Sequence, residues 1–200
     1  MKKYSRNPVF SPVLTPETVM TDPIVAKAQM MIRKAPVVIA INGLDCAGKT
    51  SFAGQLHEKL TGLKITTALL HVDDFNNRDV QRQVYDAHNR GKLTLELFEL
   101  YYHHSIDYDR LARTIPRSRA RHDITIIEGV FLFKDSLNHL PDIRIFLSID
   151  PKLARQRYRK RRRNAGDTRP LAVFDDIWLP AFRRYCDDVH PEQISDFIIR

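Results

Sequence analysis

The stretch Gly43-Leu44-Asp45-Cys46-Ala47-Gly48-Lys49-Thr50 matches the pattern G-x-x-x-x-G-K-[ST] at every fixed position. A loop of this kind turns successive backbone N–H groups inward onto phosphate oxygens. Its two glycines permit an approach that a Cβ would block. Lys49 adds a mobile positive charge for β- and γ-phosphates, and the Thr50 hydroxyl is suited to ligating Mg²⁺. The candidate nucleotide-binding residues are therefore Gly43, Leu44, Asp45, Cys46, Ala47, Gly48, Lys49, Thr50 and Ser51.

The flanking sequence supplies the setting such a loop needs. Residues 36–42 form a continuous apolar run opened by Pro36, as a strand buried on both faces of a parallel sheet reads. From Ser51 to Leu60, Phe52, Leu56 and Leu60 recur at helical spacing. The start of that helix would add its partial positive charge to the phosphate site.

Further along, Asp22 and Pro23 suggest a helix start, with the helix running to about Lys34. The sequence predicts further strands over 64–72, 123–127, 143–149 and 194–199. Irregular helix is expected over 78–104, a short helix over 107–114, a basic helix over 151–163, and a helix over 174–187 despite Pro180. Strands alternating with helices imply a doubly wound parallel sheet, a three-layer α/β/α domain whose ligands sit at strand C-termini. The clusters at 43–50, 73–74 and 128 all fall at such ends.

The chain of 200 residues is compatible with one domain, expected over 22–200 behind an extended or disordered N-terminal arm over 1–21. The arm is polar, carries Pro8, Pro12 and Pro16, and lacks the apolar region of a secretory signal. No apolar run approaches the roughly 20 residues of a membrane helix. Cys46 and Cys186 are too few for a disulfide framework, which points to a reducing cytoplasm. The net charge of +8 raises the question of nucleic acid. Much of that excess is local, in Arg155, Arg157, Arg159, Lys160, Arg161, Arg162 and Arg163. No aromatic-interleaved basic strand accompanies it, so arginines serving a transferred phosphoryl group or a solvated helix face are the preferred readings.

Asp73 and Asp74 end the second strand. A carboxylate there is suited to accept the proton of an attacking hydroxyl, whereas the bland alternative is a pair of capping aspartates. Glu128 follows the apolar Ile124-Thr125-Ile126-Ile127 and precedes Gly129, the place of a second Mg²⁺ anchor beside Thr50. Asp107-Tyr108-Asp109 reads equally as a base- and ribose-contacting group or as a helix start with a buried tyrosine. Trp178 and Phe182 read as core or lid packing. His71, His103, His104 and His122 form no metal-like pattern and receive no role.

Together, Gly43 to Thr50, His71-Val72-Asp73-Asp74-Phe75 and the stretch Ile126 to Phe133 resemble the uridine kinase/phosphoribulokinase group of phosphate-loop kinases. The stretch Leu179 to Cys186, with Pro191 and Ser195 to Ile199, is similar to the tail of uridine/cytidine kinases. The Asp-Asp-Phe and Ile-Ile-Glu-Gly stretches and Phe174 to Trp178 also resemble nicotinamide riboside kinases. The likeness spans about residues 36–200.

The resemblance implies ATP phosphates on Lys49 and the loop, Mg²⁺ at Thr50 and Glu128, and Asp73 as base for a ribose 5′-hydroxyl. It also implies acceptor contacts at Tyr108 and Asp109, and an arginine lid for which Arg155, Arg159 and Arg162 share one helix face. The segment Ile115 to His122 is shorter and more basic than the pyrimidine-contacting segment of uridine/cytidine kinases, and no Arg-Gly-Arg follows the basic helix. The expectation is a cytoplasmic ATP- and Mg²⁺-dependent kinase acting on a small-molecule hydroxyl, foremost the 5′-hydroxyl of a nucleoside. The alternatives are a kinase for nicotinamide riboside or another small metabolite, and a non-catalytic nucleotide-binding regulatory module. A homo-oligomer is left open, and neither membrane nor nucleic acid is expected as a partner.

Overall fold

The computed structural model describes residues 16–165 and 167–200, with side chains from residue 21 onward except Ala165. Its centre is a five-stranded, wholly parallel sheet. The strands are β1 (Val37–Gly43), β2 (Thr67–His71), β3 (Ile124–Gly129), β4 (Ile143–Leu147) and β5 (Phe197–Ile199), in the spatial order β2-β3-β1-β4-β5. Both β1 and β3 are buried along their whole length, as their apolar runs require. Alternation along the strands splits the core. Val37, Ile39 and Ile41 pack with Ile124, Ile126, Ile143 and Ile145 on one face, against α1 (Pro16–Ile32) and α2 (Lys49–Gly62). Val38, Ala40, Ile127 and Phe146 point to the other face. There they meet α4 (Leu95–His104), α5 (Tyr108–Arg119), α6 (Pro151–Ala165) and α7 (Leu179–Val189).

The expected elements are present, with shifted ends that have local causes. The stretch at 78–104 is two helices, α3 (Arg78–Asn89) and α4, separated where Gly91 takes a φ of 66° and Thr94 caps α4. Lys64 takes a φ of 61° beyond α2, so β2 starts later than its apolar pattern suggests. Pro180 has no N–H to return to Asp176, and a π-helical turn at Phe174–Trp178 precedes α7 where one continuous helix is expected.

The first helix also departs from expectation. It begins at Pro16, within the stretch expected as an arm, and carries Pro23 inside rather than at its start. Pro16 meets the same first-position preference. The helix is tied to the body by the buried Ile24 and Ala28, by Lys27 to Asp196 at 2.5 Å, and by an ion pair between Asp22 and Lys59. The rest of the expected arm, residues 1–15, lies outside the described residues.

Strand β1 lies between β3 and β4, so the chain leaves it toward one side and later crosses to the other. This is the switch point where an open parallel sheet leaves a crevice at its strand C-termini. The phosphate-binding stretch begins at that end of β1.

Candidate active site

Gly43 ends β1 so close to β4 that a Cβ there would lie 2.6 Å from the Leu147 carbonyl oxygen. Gly48 takes a φ of 101° immediately before α2, a conformation that favours glycine. The Phe52 N–H bonds the Gly48 carbonyl at 2.9 Å, so the N–H groups of the first helical residues are left to face an anion. Lys49 is buried, and its Nζ donates to the Leu44 carbonyl at 2.9 Å, folding the side chain back over its own loop.

The loop forms one wall of a cavity of about 790 Å³, to which Asp45, Lys49, Thr50, Asp73 and Glu128 all contribute. Residues far apart in the chain thus meet there. Glu128 is buried at the end of β3, and its Oε1 accepts from the Thr50 hydroxyl at 3.0 Å. Asp73 reaches the cavity from a 3-10 turn (Val72–Phe75) that follows β2. Asp74 does not line it, and the Asp74 backbone carbonyl instead accepts from Arg110. That turn is packed by the buried Val72 against Gly129, where a Cβ would collide with the Val72 side chain.

His71, given no role in the sequence, also belongs to the site. It is the register partner of Glu128, and its Nδ1 lies 2.7 Å from Glu128 Oε1. A buried polar group also missed there is Asn42. Its Nδ2 donates to the Tyr185 hydroxyl at 2.9 Å, and Tyr185 in turn accepts from the Phe133 N–H at 3.1 Å, anchoring the segment beyond β3 to β1. The only sequence signal for either residue is a polar side chain in or at the end of an apolar run.

The arginines that face the loop differ from those expected. Arg157 Nη1 donates to the carbonyls of Cys46 and Ala47, both at 3.3 Å, and Arg161 shares the main cavity. Arg155 instead forms a two-pronged pair with Asp175 at 2.7 Å, and Arg159 and Arg162 line a separate cavity with Asp167 and Leu171. The spacing behind the expected face is sound, but among the described side chains of α6 Ala154 and Tyr158 are the ones that bury, and this turns the helix so that 157 and 161 meet the loop. Tyr108 and Asp109 are likewise placed elsewhere. They line a cavity of about 490 Å³ beside Lys134, because Asp107 caps α5 and starts the helix with Tyr108 packed on the α4 side. Tyr108 is half-buried at the start of α5, and it faces this cavity rather than the one that holds the phosphate loop.

The electrostatics follow from this enclosure. Burial raises the Asp45 carboxyl above its ordinary range. Lys49 opposes the rise, and the nearby Asp73 charge adds to it. Burial also raises the Cys46 thiol, which makes it a poor thiolate. Toward β4, Ala47, Gly48, Phe52 and Arg157 border an adjoining cavity of about 320 Å³ that extends to Ile199 and Arg200.

A magnesium ion fits the donor set. The Thr50 hydroxyl keeps its lone pairs while donating to Glu128, and both are hard oxygen donors. Among the described residues no three His, Cys, Asp or Glu side chains form a metal-binding group, so phosphate oxygens and water would complete the shell. No described helix is long and apolar enough to cross a membrane.

No family model matches the chain, nor does any curated protein. Solved structures do match its fold. A protein described as a possible uridine kinase from Bacillus stearothermophilus aligns with a TM-score of 0.61 at 18% identity, covering 89% of this chain and 100% of that one. A protein provisionally assigned as a fructose transport system kinase from Silicibacter sp. TM1040 aligns with a TM-score of 0.60 at 14% identity, over 88% and 98% of the two chains. The chain therefore has the three-layer fold of the phosphate-loop kinases.

Proposed function

We propose that this protein is an ATP- and Mg²⁺-dependent phosphotransferase that phosphorylates a hydroxyl of a small molecule, foremost the 5′-hydroxyl of a nucleoside, in the cytoplasm. The observation that carries this reading is the convergence of Asp73, Glu128 and the phosphate-binding loop on one cavity of about 790 Å³. The fold likeness to a possible uridine kinase supports it. A regulatory module that only binds nucleotide has no use for a second, accessible carboxylate facing the phosphates.

ATP supplies the phosphoryl group, and Mg²⁺ neutralises charge on its phosphates. The chain does the rest by positioning. N–H groups at the start of α2, with Lys49, hold the phosphates, and Thr50 and Glu128 offer oxygens to the metal. Arg157 and Arg161 bring positive charge over the loop, and the cavity beside Arg157 and Arg200 has room for the donor's base. Asp73 orients the acceptor hydroxyl and accepts its proton as the new O–P bond forms and the bond from the γ-phosphorus to the β,γ-bridging oxygen breaks, with ADP as the leaving group.

A panel of nucleosides and vitamin precursors incubated with ATP and Mg²⁺ and read by mass spectrometry tests the reading. A product heavier by one phosphoryl group, absent with Asp73→Asn, is expected. No phosphorylated product from any compound would leave the regulatory module standing. Product from nicotinamide riboside but not from uridine or cytidine would select the metabolite-kinase alternative.

A further inference from the structure

The turn that carries Asp73 is a weak element by itself. It is a single 3-10 turn, and the bond that closes it, from the Asn76 N–H to the Asp73 carbonyl, is long at 3.4 Å. Asp73 and Asp74 are both exposed on it, so packing of their side chains does not hold it. Ties to the rest of the chain therefore decide where it stands. At its start, the buried Val72 packs against Gly129. Toward its end, the Asp107 N–H donates to the Phe75 carbonyl at 2.8 Å and the Asn77 N–H to the Ser105 carbonyl at 2.9 Å, while Asn76 and Ile106 pair in an antiparallel bridge. Among the described residues, the middle of the turn is held by one side chain. The Asp74 carbonyl accepts from the Arg110 guanidinium, which also lies over the buried Phe75 ring, 4.6 Å from its centroid.

Arg110 is itself fixed well enough to act as a tie. It stands in the first turn of α5, where its N–H donates to the Asp107 carboxylate at 2.9 Å, and the next residue, Leu111, is wholly buried. The path from the Asp107 cap through Arg110 to the Asp74 carbonyl joins the body of α5 to the turn. An arginine on the outer face of a helix needs no fixed partner. Arg113 and Arg117, further along α5, are exposed and make no hydrogen bond or ion pair among the described residues. Arg110 differs from them because its guanidinium bonds a carbonyl with its edge while its face covers a ring, two contacts that an ammonium does not combine.

We infer that Arg110 is a positioning residue for phosphoryl transfer: it pins the residue next to Asp73 and so sets where the Asp73 carboxylate meets the acceptor hydroxyl. Arg110 does not line the cavity that holds the phosphate loop, and it acts through the turn. The inference rests on the kinase reading in taking Asp73 as the base.

The test compares the full chain as wild type, Arg110→Ala, Arg110→Lys and the control Arg113→Ala, which removes the same charge one turn away. Hydrogen–deuterium exchange read by mass spectrometry reports on the turn directly and needs no acceptor. Peptides covering residues 72–77 should exchange faster in Arg110→Ala and at the wild-type rate in Arg113→Ala. Unchanged exchange in Arg110→Ala, or the same increase in both variants, would overturn the inference.

Turnover is then measured with Mg–ATP and uridine, or with the member of the nucleoside and vitamin-precursor panel that is phosphorylated. Arg110→Ala should lose about ten- to hundred-fold in kcat, the scale of a reacting group displaced by about 1 Å, with the KM for ATP within about two-fold of the wild type. Arg110→Lys keeps a donor for the carbonyl without the planar stack, and its kcat should fall between the two. In an Asp73→Asn background the Arg110→Ala change should cost no more than about two-fold, because no base is left to misplace. An equal loss in both backgrounds would mark a merely structural role and sink the idea. Wild-type kcat in Arg110→Ala would do the same and leave the kinase reading standing. If no compound is phosphorylated while exchange at 72–77 rises in Arg110→Ala alone, the kinase reading fails and the hold of Arg110 on the turn stands.

Discussion

His71 and Glu128 are register partners on adjacent parallel strands, and the imidazole Nδ1 lies 2.7 Å from Glu128 Oε1. The same oxygen accepts from Thr50, so two donors hold the carboxylate, and in the proposed reading its other oxygen is the one offered to Mg²⁺. Partners of a metal-anchoring group typically affect metal affinity or activity about 10- to 100-fold. His71→Ala should therefore raise the Mg²⁺ concentration needed for half-maximal activity by about ten-fold. ADP affinity measured in EDTA should be unchanged. Glu128→Gln should lose the tightening of ADP binding by Mg²⁺ in calorimetry, and equal affinity with and without metal in the wild type would contradict the assigned role.

Asp73 is exposed on its turn and shares the cavity with the loop. Asp73→Asn should retain Mg–AMP-PNP binding and lose about 10²–10⁴-fold in kcat. Near-normal turnover would remove Asp73 as the base.

Arg157 touches the loop carbonyls, and Arg155 is paired with Asp175. Arg157→Ala should weaken ATP binding and slow transfer by about ten-fold or more, whereas Arg155→Ala should leave kcat/KM within about two-fold. The opposite ranking would restore the helix face expected from spacing alone.

Gly129 admits the Val72 side chain that holds the Asp73 turn. Gly129→Ala should cost about 1–3 kcal/mol in urea unfolding. It should also slow turnover, because the turn carrying Asp73 must move to relieve the collision. A variant as stable and as active as the wild type would show that the strand end yields freely.

Lys134 lies 3.5 Å from the Tyr102 ring centroid, and burial, with help from the Arg184 charge, brings its pKa down to about 8, against an opposing pull from Asp188. Its folded value is below its unfolded one, so between about pH 8 and pH 10.5 the unfolded chain holds more protons. Stability from this group is therefore present above the unfolded pKa and lost as pH falls through about 8. With allowance for partial exposure, the contribution is on the order of 1 kcal/mol. The stability of the wild type relative to Lys134→Met should rise by that amount across this window, and a flat difference would refute the shift.

The phosphate loop, the parallel strands and the carboxylates at their ends were legible because each depends on residues near in sequence. A buried strand needs an apolar run, and a left-handed loop residue at Gly48 favours glycine. The differences lie where the decision is made elsewhere in the chain. The arginine face of α6 follows from the burial of Ala154 and Tyr158, and the ring partners of Tyr158, Phe174 and Trp178, come later in the sequence. The place of Tyr108, beside Lys134 and the end of α4, likewise depends on segments far from it in the chain.

From the sequence alone, then, came the means to bind phosphate: glycines, a lysine and a hydroxyl within eight consecutive residues, whose spacing is the geometry. Only the tertiary structure decided what surrounds it. Strand order set His71 beside Glu128, and the turn after β2 brought Asp73 to the cavity that the loop walls. Pairing between strands depends on contacts summed over the whole core, so no local pattern encodes which polar end will meet which.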